Sequence, residues 1–186
     1  MRLDALRIAN NLDAKKITQL VNVAYRPNGN ESGWTHESNW ISGDRISADR
    51  VSELISKVDS VILLGIKDHE ILTCVHVEKE GQNAYIGMLT VHPKSQGLGI
   101  GKQVLDYAEK YAGATFGSDK FVMVVMSARS ELIAFYLRRG YQKTGRIMDN
   151  PSSAGVGTPK FSDLKIEVLE KPANTSTKLT GNKDER

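Results

Sequence analysis

A glycine-rich stretch that follows an apolar run is the part of this sequence best suited to bind a phosphate group. Glycine stands at positions 97, 99 and 101, between an apolar run that ends at Val91 and a predicted amphipathic helix. The apolar positions of that helix are Val104, Leu105, Ala108, Tyr111 and Ala112. Glycines leave the backbone open to a ligand, and a helix N-terminus carries unpaired N–H groups and a positive dipole end. The stretch therefore predicts a phosphate or pyrophosphate site.

Two familiar phosphate-binding motifs do not fit these residues. The P-loop of nucleoside triphosphate-binding proteins needs a glycine five residues before the final one and Ser or Thr after the lysine. Around Gly101 and Lys102 those positions hold Gln96 and Gln103. The dinucleotide fingerprint needs Gly-x-Gly-x-x-Gly after a first strand, whereas this stretch reads Gly-x-Gly-x-Gly after a later one. Neither kind of nucleotide site is predicted.

Two segments together resemble the signatures of the GNAT N-acetyltransferase superfamily. The first is Gln96-x-x-Gly99-x-Gly101, preceded by Val91-x-Pro93, which resembles the superfamily's acyl-CoA loop. The second is residues 135–141, Phe-Tyr-Leu-Arg-Arg-Gly-Tyr, which is similar to an aromatic-Tyr pair followed by Gly-aromatic. The resemblance covers about residues 5 to 171. It implies acetyl-CoA as cosubstrate and an α/β (α+β) fold with a mixed central sheet of six or seven strands and about four helices.

The chain departs from the superfamily pattern near the second signature. Arg129 and Leu132 stand where many members have Asn and Ala, so the Asn contact with CoA is not carried over. A bacterial subset has the same Arg-x-x-Leu-x-x-aromatic-Tyr, together with Gly-Trp-Thr-x-Glu and a downstream Gly-x-Arg. Here these are residues 33–37, Gly-Trp-Thr-His-Glu, and residues 43–45, Gly-Asp-Arg. The sequence therefore resembles that subset.

Apolar periodicity predicts elements in the order β-α-α-β-β-β-α-β-α-β-β, with the strand at 121–126 parallel to the one at 84–91. Residues 28–43 and 149–160 are predicted as long loops, which in compact domains are usually functional. One domain is expected over residues 1–171. Residues 172–186 are polar, and we expect them to form a disordered tail.

The resemblance implies which residues hold the donor. The pyrophosphate is expected on the backbone amides of Gln96, Gly97, Leu98, Gly99, Ile100, Gly101 and Lys102. The pantetheine is expected to pair with Leu89, Thr90 and Val91 as an added strand, with the Leu89 N–H toward the thioester oxygen. An ordinary central strand and an ordinary strand-to-helix turn are the alternatives.

Five further residues are candidates for catalysis and acceptor binding. Tyr136 is the candidate general acid, because a phenol can give its proton to a departing thiolate; its alternative is a core aromatic residue. Glu37 is the candidate general base, with Glu78 second, and a surface-loop role is the alternative. Trp34 is expected to form a wall for an amine. Arg45 is expected to orient an acceptor carboxylate.

Composition limits the other classes of function. The net charge is +3 with dispersed basic residues, so nucleic-acid binding is not expected. No apolar run reaches the length of a membrane span, and no signal peptide is recognised at the start. The single cysteine, Cys74, excludes an internal disulfide and fits a cytoplasmic location. No histidine pair has metal-ligand spacing with a third ligand nearby, so no metal is predicted.

These features predict an acetyl-CoA-dependent N-acetyltransferase that acts, as a monomer or homodimer, on the primary amine of a small-molecule or amino-acid-like acceptor by direct attack. Two alternatives stay open. One is a catalytically inactive acyl-CoA-binding sensor or interaction module, and the other is a protein or peptide N-acetyltransferase.

Overall fold

Four α-helices and nine strands are formed by the residues that the computed structural model describes, which are 1–27, 33–149 and 156–173. The helices are α1 (Ala14–Tyr25), α2 (Ala48–Ser56), α3 (Ile100–Phe116) and α4 (Ser130–Leu137). The strands are β1 (Ala5–Ile8), β2 (Ile41–Ser42), β3 (Ser60–Lys67), β4 (Glu70–Glu80), β5 (Asn83–Val91), β6 (Lys120–Met126), β7 (Gln142–Asp149), β8 (Thr158–Pro159) and β9 (Lys165–Pro172). No helix in the described part of the chain is long and apolar enough to span a membrane.

Seven of these strands form one mixed sheet in the order β1-β3-β4-β5-β6-β9-β7. All neighbouring strands are antiparallel except β5 and β6, which are parallel and are connected through α3. The predicted mixed sheet, the three antiparallel strands before the glycine-rich stretch and the parallel crossover after it are confirmed.

Short turns set the register of the central strands. Asp68 and His69 both have positive φ, 50° and 63°, as a two-residue hairpin turn of type I′ requires. Lys67 therefore lies opposite Glu70. The next turn contains Gly81, with φ 62°, and is shorter than the predicted turn over residues 79–83 because β4 runs to Glu80. These turns hold β3, β4 and β5 as one meander.

Helices cover both faces of the sheet and bury the predicted apolar positions. On one face, α1 and α2 contribute Ile17, Leu20, Val21, Ala24, Val51 and Leu54 to a buried cluster. On the other face, α3 and α4 contribute Val104, Leu105, Ala108, Ala112, Leu132, Ile133 and Tyr136. Each fully buried aliphatic side chain stabilises the fold by about 1.5 to 3 kcal/mol relative to exposure. Apolar periodicity predicts that Val58 belongs to the buried face of α2, but this prediction was wrong, because α2 ends at Ser56 and Val58 is 83% exposed.

Strand β5 contains an irregularity that opens the sheet. Met88 has a φ of 52°, unusual for a residue with a side chain, and the register between β4 and β5 shifts between Cys74 and His76. The parallel pairing of β5 with β6 extends only over Asn83–Tyr85. Beyond that point the described residues provide no β6 partner for β5, so its carboxyl-terminal half borders a gap.

The two predicted long loops pair with each other through a small second sheet. Strands β2 and β8 place Ile41 opposite Pro159 and Ser42 opposite Thr158. Gly157, with φ 98°, lies so close that a Cβ there would be 2.5 Å from the Ser42 carbonyl oxygen. Loop composition alone does not indicate this pairing, which holds the two segments together.

Strand β9 extends further than the predicted domain boundary at residue 171. Pro172 still pairs with Lys120, so the first residue of the predicted tail belongs to the sheet. Residues 174–186 of that tail lie outside the described residues, as do residues 28–32 and 150–155 of the two predicted loops.

Candidate active site

The glycine-rich stretch forms the entry to α3. A short 3₁₀ turn at Pro93–Ser95 precedes it, and Gly97 and Gly99 both have left-handed backbones, with φ of 77° and 79°. Gly99 is the N-cap of α3, and no side chain caps this helix. The first-turn amides of a 17-residue helix are therefore left to a ligand, which favours an anion.

A cleft of about 230 Å³ lies between this loop, the end of β5 and α4. Eight of the ten predicted donor-binding residues line it: Leu89, Val91, Gln96, Gly97, Gly99, Ile100, Gly101 and Lys102. Thr90 and Leu98 do not. Thr90 is buried and donates a hydrogen bond to the Met88 carbonyl at 2.9 Å, and the Leu98 side chain is 46% exposed.

Gly101 permits the close approach of α3 to β5. A Cβ at this position would lie 3.3 Å from Val91 Cγ2 and 3.9 Å from Phe135 Cζ. A larger residue there would push α3 away from the strand and the aromatic wall, because packed interiors leave little free space.

The floor of the cleft is held by a residue that the sequence analysis missed. Tyr25, at the end of α1, donates a hydrogen bond from its hydroxyl to the Leu89 carbonyl oxygen at 2.9 Å. Tyr25 is buried, and burial raises the pKa of its hydroxyl. This bond fixes the peptide at the β5 irregularity, where the thioester is expected. In the sequence, the only indication of this contact is that Tyr25 is the last residue of α1.

Gln96 links the loop to the segment before α2. Its amide nitrogen donates to Thr35 Oγ1 at 2.9 Å and to the Val91 carbonyl at 3.1 Å. A Cβ on Gly33 would collide with this amide, so the glycine makes room for it. The Gln96 side chain thus organises the cleft. Its backbone N–H donates to the Pro93 carbonyl at 3.2 Å and is not free for the predicted phosphate contact.

Aromatic and cationic side chains form the wall opposite β5. The rings of Trp34 and Phe135 have centroids 6.0 Å apart, and the Arg139 guanidinium lies 3.4 Å from the centre of the Phe135 ring. Arg139 also donates to the Phe135 carbonyl at 2.8 Å, and burial lowers the pKa of its guanidinium. Of the basic residues near the cleft, Lys102 and Arg139 line it.

Tyr136 lies in the core next to the cleft and is absent from the lining. Its ring packs edge-on against Phe135 and Tyr141, at centroid distances of 5.3 Å and 5.8 Å. Burial raises the pKa of its phenol well above the usual range, and the nearby Tyr25 hydroxyl raises it further. The side chain is therefore protonated at neutral pH. Its role as general acid stays a prediction.

Glu37 is buried between two arginines. Its Oε2 accepts from Arg26 Nη1 at 3.0 Å, and its Oε1 accepts from Arg129 Nη1 at 2.7 Å. Arg129 also donates to the Thr35 carbonyl at 2.6 Å. With both oxygens bound to guanidinium groups, Glu37 has no free oxygen to take a proton from an amine, which is unfavourable to the predicted general-base role.

Of the other predicted acceptor-side residues, Trp34 lies at the cleft, whereas Arg45 and Glu78 do not line it. Trp34 lines the cleft and is 49% exposed. The Arg45 guanidinium packs over the Tyr25 ring, 5.3 Å from its centre, and does not line the cleft. Glu78, the second candidate base, lies on β4 and pairs with Lys57, which follows α2. Its Oε2 lies 3.7 Å from His76 Nε2.

The residues present fit the donor that the resemblance implies. Bare amides at α3 and two cations suit phosphates, and the apolar walls suit a pantetheine chain. Two buried polar atoms at the cleft, Gln96 Oε1 and Arg139 Nε, have no hydrogen-bond partner among the described residues. Buried polar groups are normally paired, so both atoms are available to a ligand.

Comparison with known proteins agrees with this arrangement. The Acetyltransferase (GNAT) family matches residues 15–141. The structure resembles the ribosomal-protein-S18-alanine N-acetyltransferase from Escherichia coli, with a TM-score of 0.67 and 11% identity over 94% of this chain and 97% of that one. It also resembles an N-acetyltransferase from Staphylococcus aureus Mu50, with a TM-score of 0.69 and 12% identity over 91% of this chain and 97% of that one. A mutant spermidine N-acetyltransferase from Vibrio cholerae is similar as well, with a TM-score of 0.65 and 14% identity over 91% of this chain and 95% of that one. At these identities the likenesses show a shared fold.

Proposed function

Because the chain belongs to the GNAT acetyltransferase family, we propose that it moves the acetyl group of acetyl-CoA to the primary amine of a small-molecule or amino-acid-like acceptor. The observation that carries this proposal is the cleft itself. It begins at the uncapped N-terminus of α3, continues along the part of β5 that has no β6 partner, and is bordered by α4.

The donor is proposed to bind along this path. The pyrophosphate accepts hydrogen bonds from the amides of residues 97–102, where the helix dipole also favours negative charge. Lys102 and Arg139 add positive charge at the same cleft. The pantetheine amides pair with the free edge of β5 between Leu89 and Val91.

The transfer is proposed as a direct attack. The amine lone pair forms a bond to the thioester carbonyl carbon, and the negative charge that develops on the carbonyl oxygen is stabilised by the Leu89 N–H. The C–S bond then breaks, and the thiolate receives a proton from the Tyr136 hydroxyl. The attacking nitrogen loses its proton through water to solvent, and Tyr136 recovers a proton from solvent, so that the enzyme returns to its starting state.

Glu37 is proposed as a positioning residue rather than as the base. Its pairing with Arg26 and Arg129 links the end of α1, the segment that carries Trp34 and the turn before α4. This network holds the Trp34 wall against the cleft, so Glu37 acts on the acceptor through other residues.

Amine-dependent release of CoA thiol tests the proposal. The full chain is incubated with acetyl-CoA and a library of primary amines, and free thiol is measured with Ellman's reagent. Cys74, the only cysteine, is buried, and burial raises the pKa of its thiol to about 12, so we expect no interference from it. Mass spectrometry of the acetylated amine identifies the product.

Each alternative has its own outcome. Acetyl-CoA binding without thiol release for any amine or peptide would indicate a CoA-binding sensor. Acetylation of peptide N-termini or lysines, with no small amine reacting, would indicate a protein N-acetyltransferase and would overturn the proposal.

A further inference from the structure

A second cavity of about 280 Å³ adjoins the donor cleft. It is lined by Trp34, His36, Trp40, Arg129, Glu131 and Leu132. Trp34 and Leu132 also line the donor cleft, so the two spaces share a wall. A ligand in the second cavity would therefore lie beside bound donor.

Two of its walls are tryptophans, and they are the only tryptophans in the sequence. Indole faces attract cations through the ring quadrupole, with a larger effect where water is excluded. Trp40 is half-buried and Trp34 is 49% exposed, so both rings have surface available to a ligand. The walls suit an organic cation.

The charges at this cavity also favour a cation. The charge of Arg129, the cation in the lining, is paired with the buried Glu37 carboxylate through Nη1, and its Nη2 donates to the Thr35 carbonyl. Glu131 is exposed in the first turn of α4, and its contact among the described residues is a weak one with Ser130 Oγ at 3.4 Å. The Glu131 carboxylate is thus an exposed negative charge whose oxygens can still accept hydrogen bonds from a ligand.

His36 supplies a further polar atom. Its Nδ1 is buried and has no hydrogen-bond partner among the described residues. In the neutral tautomer with the proton on Nε2, Nδ1 is an acceptor, and because an unpaired buried polar atom is costly, a ligand N–H at this position would stabilise the complex. An ammonium group has three such donors.

The reacting amine cannot be this cation, because an amine must be uncharged when it attacks a thioester. A carboxylate and two indole faces stabilise the charged form. We propose that the second cavity binds a second, non-reacting ammonium group of the acceptor, so that the preferred substrates are diamines. This inference rests on the proposed function.

Matched amines test it. A series of α,ω-diamines is compared with monoamines and ω-amino acids of the same chain length, using the full chain and saturating acetyl-CoA. The best diamine is expected to have a KM at least about fivefold below its matched monoamine, as one exposed ion pair and a cation–π contact allow. The ω-amino acid, with a carboxylate in place of the second ammonium, is expected to be the poorest substrate.

Glu131→Gln should remove most of the diamine preference and leave the monoamine KM unchanged. Glu70→Gln, which removes an exposed carboxylate from the start of β4, is the control and should change neither value. Equal kcat/KM for the three classes, or a preference that Glu131→Gln leaves intact, would overturn the inference while leaving amine acetylation standing.

Tryptophan fluorescence provides a readout that does not depend on turnover. Since both tryptophans line the cavity, a diamine added to the CoA-bound protein should change the tryptophan emission in a saturable way. The matched monoamine should reach the same change only at an about fivefold higher concentration. If no amine is acetylated but the diamine binds in this way, the proposed function fails and the cation site stands. If the diamine causes no change, the cation site is excluded.

Discussion

At the scale of single residues, burial decides what Tyr136 can do. The phenol sits among core aromatic rings, and its raised pKa keeps it protonated over the whole range in which an enzyme of this kind works. A raised pKa also makes it a weaker acid. A thiolate is a weaker base than the Tyr136 phenolate, so proton transfer from Tyr136 is uphill and requires direct contact between the hydroxyl and the thiolate.

We expect Tyr136→Phe to lower kcat by roughly 10²-fold, because the general acid is lost while the ring and its packing are retained. Affinity for acetyl-CoA, measured by calorimetry, should be unchanged. Tyr141→Phe is the matched control, since Tyr141 packs against the same ring and does not line the cleft. A wild-type kcat for Tyr136→Phe would remove the residue from the mechanism.

Glu37→Gln separates a positioning role from a basic one. Loss of its charge leaves two buried guanidinium groups without a counter-ion, so the free energy of unfolding should fall by about 3 kcal/mol, measured by urea denaturation. The acceptor KM should rise because the Trp34 segment loosens. The shape of the kcat/KM pH profile should be that of the wild type, whereas loss of its acidic limb, the rise of kcat/KM with pH, would restore Glu37 as the base.

At the scale of elements, β3 and β4 enclose a buried histidine that makes stability depend on pH. His76 lies against Ser60, with Nε2 2.9 Å from its hydroxyl oxygen. Burial lowers the pKa of His76 from its usual 6.5 to about 4. Between these values the unfolded chain binds more protons than the folded one. The stabilisation is therefore complete above pH 6.5 and is lost as the pH falls towards 4.

We expect this single group to account for about 3 kcal/mol of the stability lost between pH 6.5 and pH 4. His76→Gln keeps an amide that can donate to Ser60 and has no titrating group. The difference in unfolding free energy between the two proteins should therefore shrink or reverse on acidification. Parallel pH profiles for the two proteins would show that His76 is not responsible.

The small β2–β8 sheet depends on one glycine. Gly157→Ala places a Cβ against the Ser42 carbonyl and forces a left-handed backbone on alanine, so we expect a loss of about 1 to 3 kcal/mol of unfolding free energy. Gly145→Ala is the control, because φ there is also positive, at 79°, but no atom lies within 4 Å of the added Cβ. Similar losses for both variants would mean that the close approach at Gly157 is unimportant.

At the scale of the whole molecule, donor binding should couple strand β5 to the helices and the segment that surround the cleft. The cleft touches β5, α3, α4 and the segment with Trp34, so a bound ligand holds these parts together. A ligand that binds only the folded state at 100 times its Kd stabilises by about 2.7 kcal/mol. For a chain of this size that raises Tm by roughly 5 to 10 °C.

Gly99→Ala should reduce this thermal shift, because φ of 79° is strained for alanine and the loop that presents the amides would rearrange. Gly113→Ala, in the middle of α3 with open space around it, should keep the full shift and stabilise the free protein by about 0.5 to 1 kcal/mol. The shift is measured by thermal melts with and without acetyl-CoA. An undiminished shift for Gly99→Ala would argue against the predicted pyrophosphate site.

Much of the fold was predictable because its signals are local. The apolar faces of α1 and α3, the two-residue turn before β4 and the alternating strands depend on residues close together in sequence. The limits of β9, the end of α2 and the pairing of β2 with β8 were not predictable in this way. They depend on which distant segment lies alongside, as Pro172 beside Lys120 shows.

The sequence by itself predicted the donor side of the site. A short stretch in which every second residue is glycine, directly before a helix, sets its own backbone and presents its own amides with few contacts to distant residues. Only the tertiary structure decided the acceptor side. Glu37 meets Arg129 across 92 positions, Tyr25 meets Leu89 across 64 and Gln96 meets Thr35 across 61. A side chain's charge state and free hydrogen-bonding capacity depend on such partners, and these are chosen by packing rather than by neighbours in the chain.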